Sequence, residues 1–280
     1  MLHEKITLWD EHPEATLTTY VYDTIGDLKA EPRPAIILCP GGGYSSLSTR
    51  ESEPVASEFL AEGMNVYILR YSTKEKASGY APLIEAALAI KYVRENALAH
   101  NTDPNKVFIG GGSAGGHLAA AAGILWNIKE VRDAIGVTDG SSPEGINKPT
   151  GLVLSYPFIT TKDYENHREI TAAIYRLCGT QEPTEEEVKR YSMELYVDET
   201  TSPVFLWHTI EDEIVPIENS LLLLNALIEH NVPCEAHIYP KGVHGLSLCN
   251  KKTWSQRPKM YEPHAETWID LAIKWINDMF

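Results

Sequence analysis

The stretch Val-Phe-Ile-Gly-Gly-Gly-Ser-Ala-Gly-Gly-His, residues 107–117, decides the fold. Its β-branched and aromatic start predicts a strand, and the alanine-rich residues that follow it predict a helix. Gly111, Ser113 and Gly115 form a G-x-S-x-G motif between the two. This order is typical of a nucleophile elbow, a tight strand-to-helix turn that lifts one serine hydroxyl above the sheet. The stretch therefore predicts acyl transfer by Ser113.

The same glycines also fit a dinucleotide-binding fingerprint, because Gly110, Gly112 and Gly115 satisfy G-x-G-x-x-G. That fingerprint expects a second strand ending in Asp or Glu about 20 residues further on. Here the alanine-rich helix runs into Trp126 and a polar stretch, and the next strand pattern spans residues 152–156, so the acid is missing. A P-loop is excluded because no Gly-Lys-Ser or Gly-Lys-Thr follows the glycines.

Two later loops carry the acid and the base that a serine nucleophile needs. In such sites the order along the chain is Ser, then Asp or Glu, then His. The strand pattern at Val204–His208 is followed by a loop that contains Asp212, and the pattern at Glu235–Tyr239 is followed by His244 between two glycines. We expect His244 to act as general base on Ser113 and Asp212 to orient the imidazole.

Neighbouring residues offer alternatives for both roles. Glu211 and Glu213 flank Asp212, and a run of charges is typical of a solvated loop. Among the ten histidines, His208 also ends a strand pattern. It precedes the acid, however, and this contradicts the expected order.

A glycine-rich loop supplies candidates for an oxyanion hole. The apolar strand pattern Ala35–Cys39 ends in Pro40-Gly41-Gly42-Gly43-Tyr44, one strand–helix–strand–helix unit before the elbow. Consecutive glycines let main-chain N–H groups approach a tetrahedral oxygen without interference from side chains. We expect Gly42, Gly43 and Ala114 to donate these hydrogen bonds.

These segments together resemble an α/β-hydrolase of the hormone-sensitive-lipase-like group, in its bacterial acetyl-esterase and xylan-esterase branch. The matching pieces are Pro40–Tyr44, Asp103–Val107 leading to Gly111–His117, Ser202-Pro203 with Trp207-His208, Asp212–Pro216 and Gly242–Leu246. The larger group usually opens its oxyanion loop with His-Gly-Gly-Gly, and here Pro40 holds the place of the histidine. Proline cannot donate a hydrogen bond, but the glycine donors are unaffected. Lipase-like substrates are therefore not carried over.

The whole chain predicts one α/β-hydrolase domain, residues 1–280. Strand and helix patterns alternate after Ala35, which predicts a mostly parallel sheet with helices on both faces. Lys5–Trp9 and Thr16–Tyr22 predict antiparallel strands before it. Residues 160–203 break the alternation, and Thr184 with three glutamates after it predicts a short helix. The resemblance implies a small helical cap here, although a peripheral excursion without a role in binding is the alternative.

The acidic composition restricts the partners. Asp and Glu number 39 against 24 Lys and Arg, a formal net charge of −15, which argues against nucleic acid and anionic membranes. The N-terminus lacks the apolar core of a signal peptide, and the apolar run at residues 221–228 is too short to span a bilayer. The four cysteines are scattered without metal-binding spacing. We expect a cytoplasmic protein, with a homo-oligomer left open.

The resemblance implies a serine carboxylesterase for short acyl groups, above all acetyl, on a sugar or a xylo-oligosaccharide. The substrate is a small-molecule ester, and no metal or organic cofactor is needed. Tyr44 and Tyr156 are candidates for the walls of the substrate pocket. A peptidase of the prolyl-oligopeptidase type shares the order of the triad but usually has a large extra domain. A non-catalytic binding protein on this fold typically lacks one triad residue, whereas this chain has all three.

Overall fold

A single eight-stranded sheet organises the residues that the computed structural model describes, which are 1–23, 31–255 and 259–279. Its strands are β1 (Lys5–Thr7), β2 (Thr16–Tyr20), β3 (Arg33–Cys39), β4 (Asn65–Arg70), β5 (Thr102–Gly112), β6 (Gly151–Ser155), β7 (Val204–Thr209) and β8 (Cys234–Tyr239). They lie in the order β1-β2-β4-β3-β5-β6-β7-β8. Strands β1 and β2 pair antiparallel, and β4 to β8 are parallel to β3. The strand that leads to Ser113 therefore lies near the middle of the sheet.

Helices cover both faces of the sheet. They are α1 (Glu53–Ala61), α2 (Ala81–Glu95), α3 (Ala114–Ile124), α4 (Lys129–Ala134), α5 (Arg168–Cys178), α6 (Glu185–Lys189), α7 (Glu218–Glu229) and α8 (Trp268–Asp278). Side chains of β3 alternate between the two resulting cores: Ile36 and Leu38 pack with α1 and α8, whereas Ile37 and Cys39 pack with α2 and α3. Because successive residues of a strand point to opposite faces, an all-apolar strand fits a sheet buried on both sides.

The predicted fold class is confirmed, and several element boundaries differ from prediction; for example, β1 ends at Thr7 rather than Trp9, and β2 ends at Tyr20 rather than Tyr22. Helix α2 ends at Glu95, and the Asn96 side chain that follows donates to the carbonyl of Tyr92 at 2.9 Å. This local bond competes with continuation of the helix. Strand β5 begins at Thr102, five residues before the expected start, because Thr102 pairs with Arg33. Residues 24–30, 256–258 and 280 of the predicted domain lie outside the described residues.

The insertion between β6 and β7, residues 160–203, contains α5, α6 and a 3-10 turn at Met193–Tyr196. Helix α5 is amphipathic, and its buried residues are Ile170, Ala173, Ile174 and Leu177. The predicted short helix is confirmed as α6. Thr184 caps it and exchanges hydrogen bonds with Glu187 in a capping box. We call residues 160–203 the cap insertion.

The described helices are short in comparison with a bilayer. Among the described residues, no helix has both the length and the apolar composition needed to cross a membrane.

Candidate active site

Ser113 lies in a strained turn between β5 and α3. Its φ of 55° and ψ of −121° are outside the usual regions for a residue with a side chain. The turn is tight, since a Cβ on Gly111 would lie 2.4 Å from the carbonyl oxygen of Cys39, and one on Gly115 would lie 1.9 Å from it. Only glycine fits at both positions, and the serine is held above the end of β5 as the motif predicts.

The three predicted triad residues meet at this turn. The Nε2 atom of His244 lies 2.8 Å from the Ser113 hydroxyl, and its Nδ1 atom lies 2.7 Å from Oδ2 of Asp212. The Asp212 side chain is fully buried, whereas the His244 side chain is 16% exposed. Since the carboxylate can only accept, Nδ1 carries the proton and Nε2 is free to accept from the serine.

Asp212 is held by four donors. Its Oδ1 accepts from the backbone N–H groups of Ile214 and Val215 at 3.0 and 2.9 Å. Its Oδ2 accepts from His244 and, at 3.2 Å, from His208. Burial raises the pKa of the Asp212 carboxyl, but the hydrogen bonds from the two histidines outweigh burial and hold this pKa well below its usual value. The acid is therefore ionised at neutral pH.

His208, which was weighed above only as an alternative base, contacts the predicted acid. It is buried, and its Nε2 lies 2.9 Å from the carbonyl oxygen of Val215, so Nε2 carries the proton. Its Nδ1 accepts from the hydroxyl of Ser220 at 2.6 Å. The signal was its place at the end of β7, four residues before Asp212. At that position His208 holds the loop that carries Asp212, instead of acting on Ser113.

The predicted oxyanion donors line the same cleft as Ser113 and His244. Gly42 and Gly43 have φ values of 134° and 60°, which favour glycine. Within the described residues, the N–H groups of Gly42, Gly43 and Ala114 donate no hydrogen bond to the protein. Such donors can bind a developing oxyanion without breaking an existing bond.

The structure corrects the predicted positions of Tyr44 and Tyr156. They are 1% and 2% exposed, and neither lines the cleft. The hydroxyl of Tyr44 lies 2.7 Å from Nδ1 of His117, and that of Tyr156 donates to Glu51 at 2.9 Å. Both rings point inward because these buried partners satisfy their hydroxyl groups.

The cleft above Ser113 has a volume of about 400 Å³. Its wall includes one face of helix α5, formed by Glu169, Ile170, Ala173 and Arg176, and the apolar side chains of Phe158, Ile214 and Val215. Arg176 donates from Nη1 to the carbonyl oxygen of Gly43 at 3.0 Å. Helix α5 of the insertion therefore lines the cleft and contacts the oxyanion loop. The sequence patterns considered above did not predict these wall residues, although the apolar spacing of α5 was a signal.

The family model described as BD-FAE matches residues 25–227. The chain is 36% identical over 229 residues to an endo-1,4-β-xylanase B of Butyrivibrio fibrisolvens and 27% identical over 217 residues to an acetylxylan esterase of Xylanibacter ruminicola. These matches cover 80% and 76% of the chain. The chain spans only 34% and 41% of the length of these two relatives.

Solved structures match the chain over nearly its whole length. A carboxylesterase of Lactobacillus plantarum has a TM-score of 0.84 at 29% identity, covering 100% of this chain and 98% of that one. An α/β-hydrolase enzyme from a deep-sea metagenome has a TM-score of 0.79 at 34% identity, with 99% and 97% covered. An acetyl ester-xyloside bifunctional hydrolase of Caldicellulosiruptor lactoaceticus has a TM-score of 0.80 at 30% identity, with 99% and 96% covered.

Proposed function

Since the chain belongs to the BD-FAE family of α/β-hydrolases, we propose that it is a serine carboxylesterase that hydrolyses short-chain acyl esters. One observation carries the proposal. Ser113, His244 and Asp212 are joined by hydrogen bonds, and Ser113 lies in a cleft that is also lined by Gly42, Gly43 and Ala114, whose N–H groups are free to donate. A nucleophile, a base, an orienting acid and oxyanion donors are the parts that acyl transfer needs.

The reaction is a double displacement. Nε2 of His244 takes the hydroxyl proton of Ser113 while Oγ forms a bond to the ester carbonyl carbon. Gly42, Gly43 and Ala114 bind the resulting oxyanion. When the intermediate collapses, the bond to the alcohol oxygen breaks and His244 gives its proton to that oxygen. Water then repeats both steps on the acyl-enzyme and releases the acid.

Asp212 keeps this cycle going by stabilising the imidazolium that forms twice per turnover. Its low pKa keeps it ionised, so it holds Nδ1–H and leaves Nε2 able to accept the serine proton. The proposed cycle uses no metal and no organic cofactor.

The proposed substrates are acetyl esters of sugars, including xylo-oligosaccharides. The two curated relatives bear the names of a xylanase and an acetylxylan esterase. The cleft wall agrees with such a substrate, since Phe158, Ile170 and Val215 suit a small acyl group while Glu169 and Arg176 suit sugar hydroxyls.

The test is hydrolysis of p-nitrophenyl acetate and of acetylated xylo-oligosaccharides by the wild type and by Ser113→Ala. Ser57→Ala, at an exposed serine of α1, is the matched control. Acetate release from the sugar that depends on Ser113 would support both reaction and substrate. Turnover of p-nitrophenyl acetate alone would contradict the sugar substrate. No turnover of either would contradict the esterase and favour a binding protein. The same assay with p-nitrophenyl octanoate tests the acyl length, and equal rates would contradict a short-acyl pocket.

A further inference from the structure

Glu51 lies buried beneath the oxyanion loop, at the end of a 3-10 turn formed by Thr49–Glu51. Its Oε2 accepts from the N–H of Gly41 at 2.6 Å, and its Oε1 accepts from the hydroxyl of Tyr156 at 2.9 Å. Both carboxyl oxygens of Glu51 therefore act as hydrogen-bond acceptors. The Glu51 side chain thus binds both Gly41, the first glycine of the oxyanion loop, and Tyr156, which follows β6.

The hydroxyl group of Tyr156 extends this contact to the loop after β8, residues 240–247, which carries His244 and which we call the histidine loop. The hydroxyl of Tyr156 accepts from the N–H of Ser247 at 3.0 Å, three residues after His244. Burial raises the pKa of Tyr156 well above its usual value, so the phenol keeps the proton that it donates to Glu51. The Ser247 hydroxyl donates to the carbonyl of Arg50 at 2.6 Å. The oxyanion loop and the histidine loop are therefore joined through Glu51 and its neighbour.

Glycines leave the space that Glu51 occupies. A Cβ on Gly41 would lie 2.7 Å from Oε2 of Glu51, and one on Gly112 would lie 3.1 Å from its carboxyl carbon. The carboxylate thus fits between the oxyanion loop and the end of β5, directly before Ser113. Glu51 thus contacts the oxyanion loop directly, borders the turn that holds Ser113, and reaches the histidine loop through Tyr156.

Glu51 has no cationic partner among the described residues. The guanidinium of the adjacent Arg50 instead donates to the carbonyls of Thr253 and Leu246. A buried carboxylate without a cation is costly, and its hydrogen bonds must offset that cost. It also lines the cleft in which the oxyanion forms. A negative charge there opposes the reaction, so a neutral substitute would accelerate it if Glu51 had no positioning role.

We propose that Glu51 is a positioning residue that aligns the oxyanion loop, through Gly41, and the histidine loop, through Tyr156 and Ser247, with Ser113. The inference rests on the proposed function, because the alignment matters only if the reaction passes through an oxyanion. Fixing Gly41 directs the N–H groups of Gly42 and Gly43, and fixing Ser247 keeps His244 within reach of the serine.

The test compares Glu51→Gln with Glu53→Gln, an exposed acid two residues away. The glutamine amide can accept from Gly41 but cannot also accept from Tyr156 if its NH₂ group faces the phenol. With p-nitrophenyl acetate we expect kcat to fall about 10- to 100-fold in Glu51→Gln while KM stays within about threefold. The inhibition constant of trifluoroacetone, which forms a hemiketal with the serine, should rise by the same factor as kcat/KM falls. An unchanged or higher kcat, or an unchanged inhibition constant, would overturn the inference.

Tyr156→Phe tests the histidine arm separately, because it leaves the bond between Glu51 and Gly41 in place. We expect a smaller fall in kcat than in Glu51→Gln. In the double variant Glu51→Gln/Tyr156→Phe, the fall in kcat should be no greater than in Glu51→Gln alone, because both substitutions disrupt the same connected hydrogen bonds. Fully multiplicative losses would overturn the inference. This variant also decides the matter if Glu51→Gln does not fold by circular dichroism.

Labelling by a fluorophosphonate separates this inference from the proposed function. The rate at which the reagent adds to Ser113, followed by intact mass, depends on the oxyanion site and not on the natural ester. If the wild type hydrolyses no ester, the proposed function fails. Slower labelling of Glu51→Gln than of the wild type would still support the positioning role, and equal rates, or no labelling of the wild type, would overturn it.

Discussion

The carboxyl edge of the sheet and the cap insertion contribute to one cleft in different ways. At the edge, Ser113, His244 and Asp212 follow three different strands and meet through bonds of 2.8 and 2.7 Å. In the cap insertion, one helix face supplies side chains such as Ile170 and Arg176 to the wall. The edge is fixed by backbone that tolerates no added atom, whereas the wall depends on exchangeable side chains. Changes at the edge should therefore affect the chemistry and the fold, and changes in the cap should affect the choice of substrate.

The largest expected effect is at the edge. In Ser113→Ala we expect kcat for p-nitrophenyl acetate to fall at least about 10⁴-fold, because the triad acts as a unit. The thermal midpoint should change little, since the substitution removes only a hydroxyl group. Steady-state kinetics and thermal unfolding check both statements. Activity within tenfold of the wild type would show that another residue is the nucleophile.

A second comparison places alanine at one glycine of each region. In Gly115→Ala the new Cβ would lie 1.9 Å from the carbonyl oxygen of Cys39, so one of the two backbone segments would have to shift. We expect the free energy of unfolding in urea to fall by more than about 4 kcal/mol. In the cap insertion, the new Cβ of Gly179→Ala would lie 3.1 Å from the Cβ and 3.7 Å from the Oγ of Ser78, at a φ of 71°, and the substitution should cost about 1 kcal/mol. Equal costs would contradict the contrast in rigidity.

The third prediction concerns a buried acid at the same edge, Glu85 of α2, which accepts from the backbone and hydroxyl of Ser72 after β4. Burial raises its pKa to about 7, although the bonds from Ser72 lower it. The folded state therefore binds more protons than the unfolded state between about pH 4.5 and pH 7, and stability falls as pH rises through that window. The loss should reach about 3 kcal/mol.

Chemical denaturation at about pH 5 and about pH 8 measures this loss. Glu85→Gln should remove the dependence, because the amide does not titrate in this range. Glu182→Gln, at an exposed acid of the cap insertion, should leave it unchanged. The same slope in the wild type and in Glu85→Gln would assign the pH dependence to other groups. The pKa of Asp212 shifts the opposite way, because its histidine partners outweigh burial.

The smallest expected effect is in the cap insertion. Arg176→Ala removes the hydrogen bond to Gly43 and part of the cleft wall, so kcat/KM for acetylated xylo-oligosaccharides should fall about 10-fold, as expected for loss of one charged hydrogen bond. The thermal midpoint should be unaffected. Arg168→Ala, at an exposed position of the same helix, is the control. A fall as large as that of Ser113→Ala would erase the distinction between the regions.

Local backbone requirements explain what could be predicted from the sequence. The glycine spacing around Ser113 and the order of strand patterns are local features, and they predicted the sheet, the elbow and the antiparallel strands that the structure has. The predicted triad and oxyanion residues come together at one cleft. Their catalytic roles stay predictions until Ser113→Ala is assayed.

Contacts between distant segments explain what could not be predicted. Tyr156 points inward because it meets Glu51, which lies 105 residues earlier in the chain. Tyr44 does the same with His117, 73 residues later. Sequence patterns do not indicate which side of a loop an aromatic ring takes, nor that a buried acid such as Glu51 joins two loops. These features depend on packing after the sheet has formed.

The place of the cap insertion also has a consequence for evolution and for engineering. It leaves and rejoins the fold at β6 and β7, which are neighbours paired through Ser155 and Trp207. A segment whose two ends lie on adjacent strands can be lengthened, shortened or exchanged without altering the strand order. Ser113 and Asp212 would keep their positions while the wall of the cleft is replaced. A transplanted cap would need its own donor to the carbonyl of Gly43, the contact that Arg176 makes in this chain.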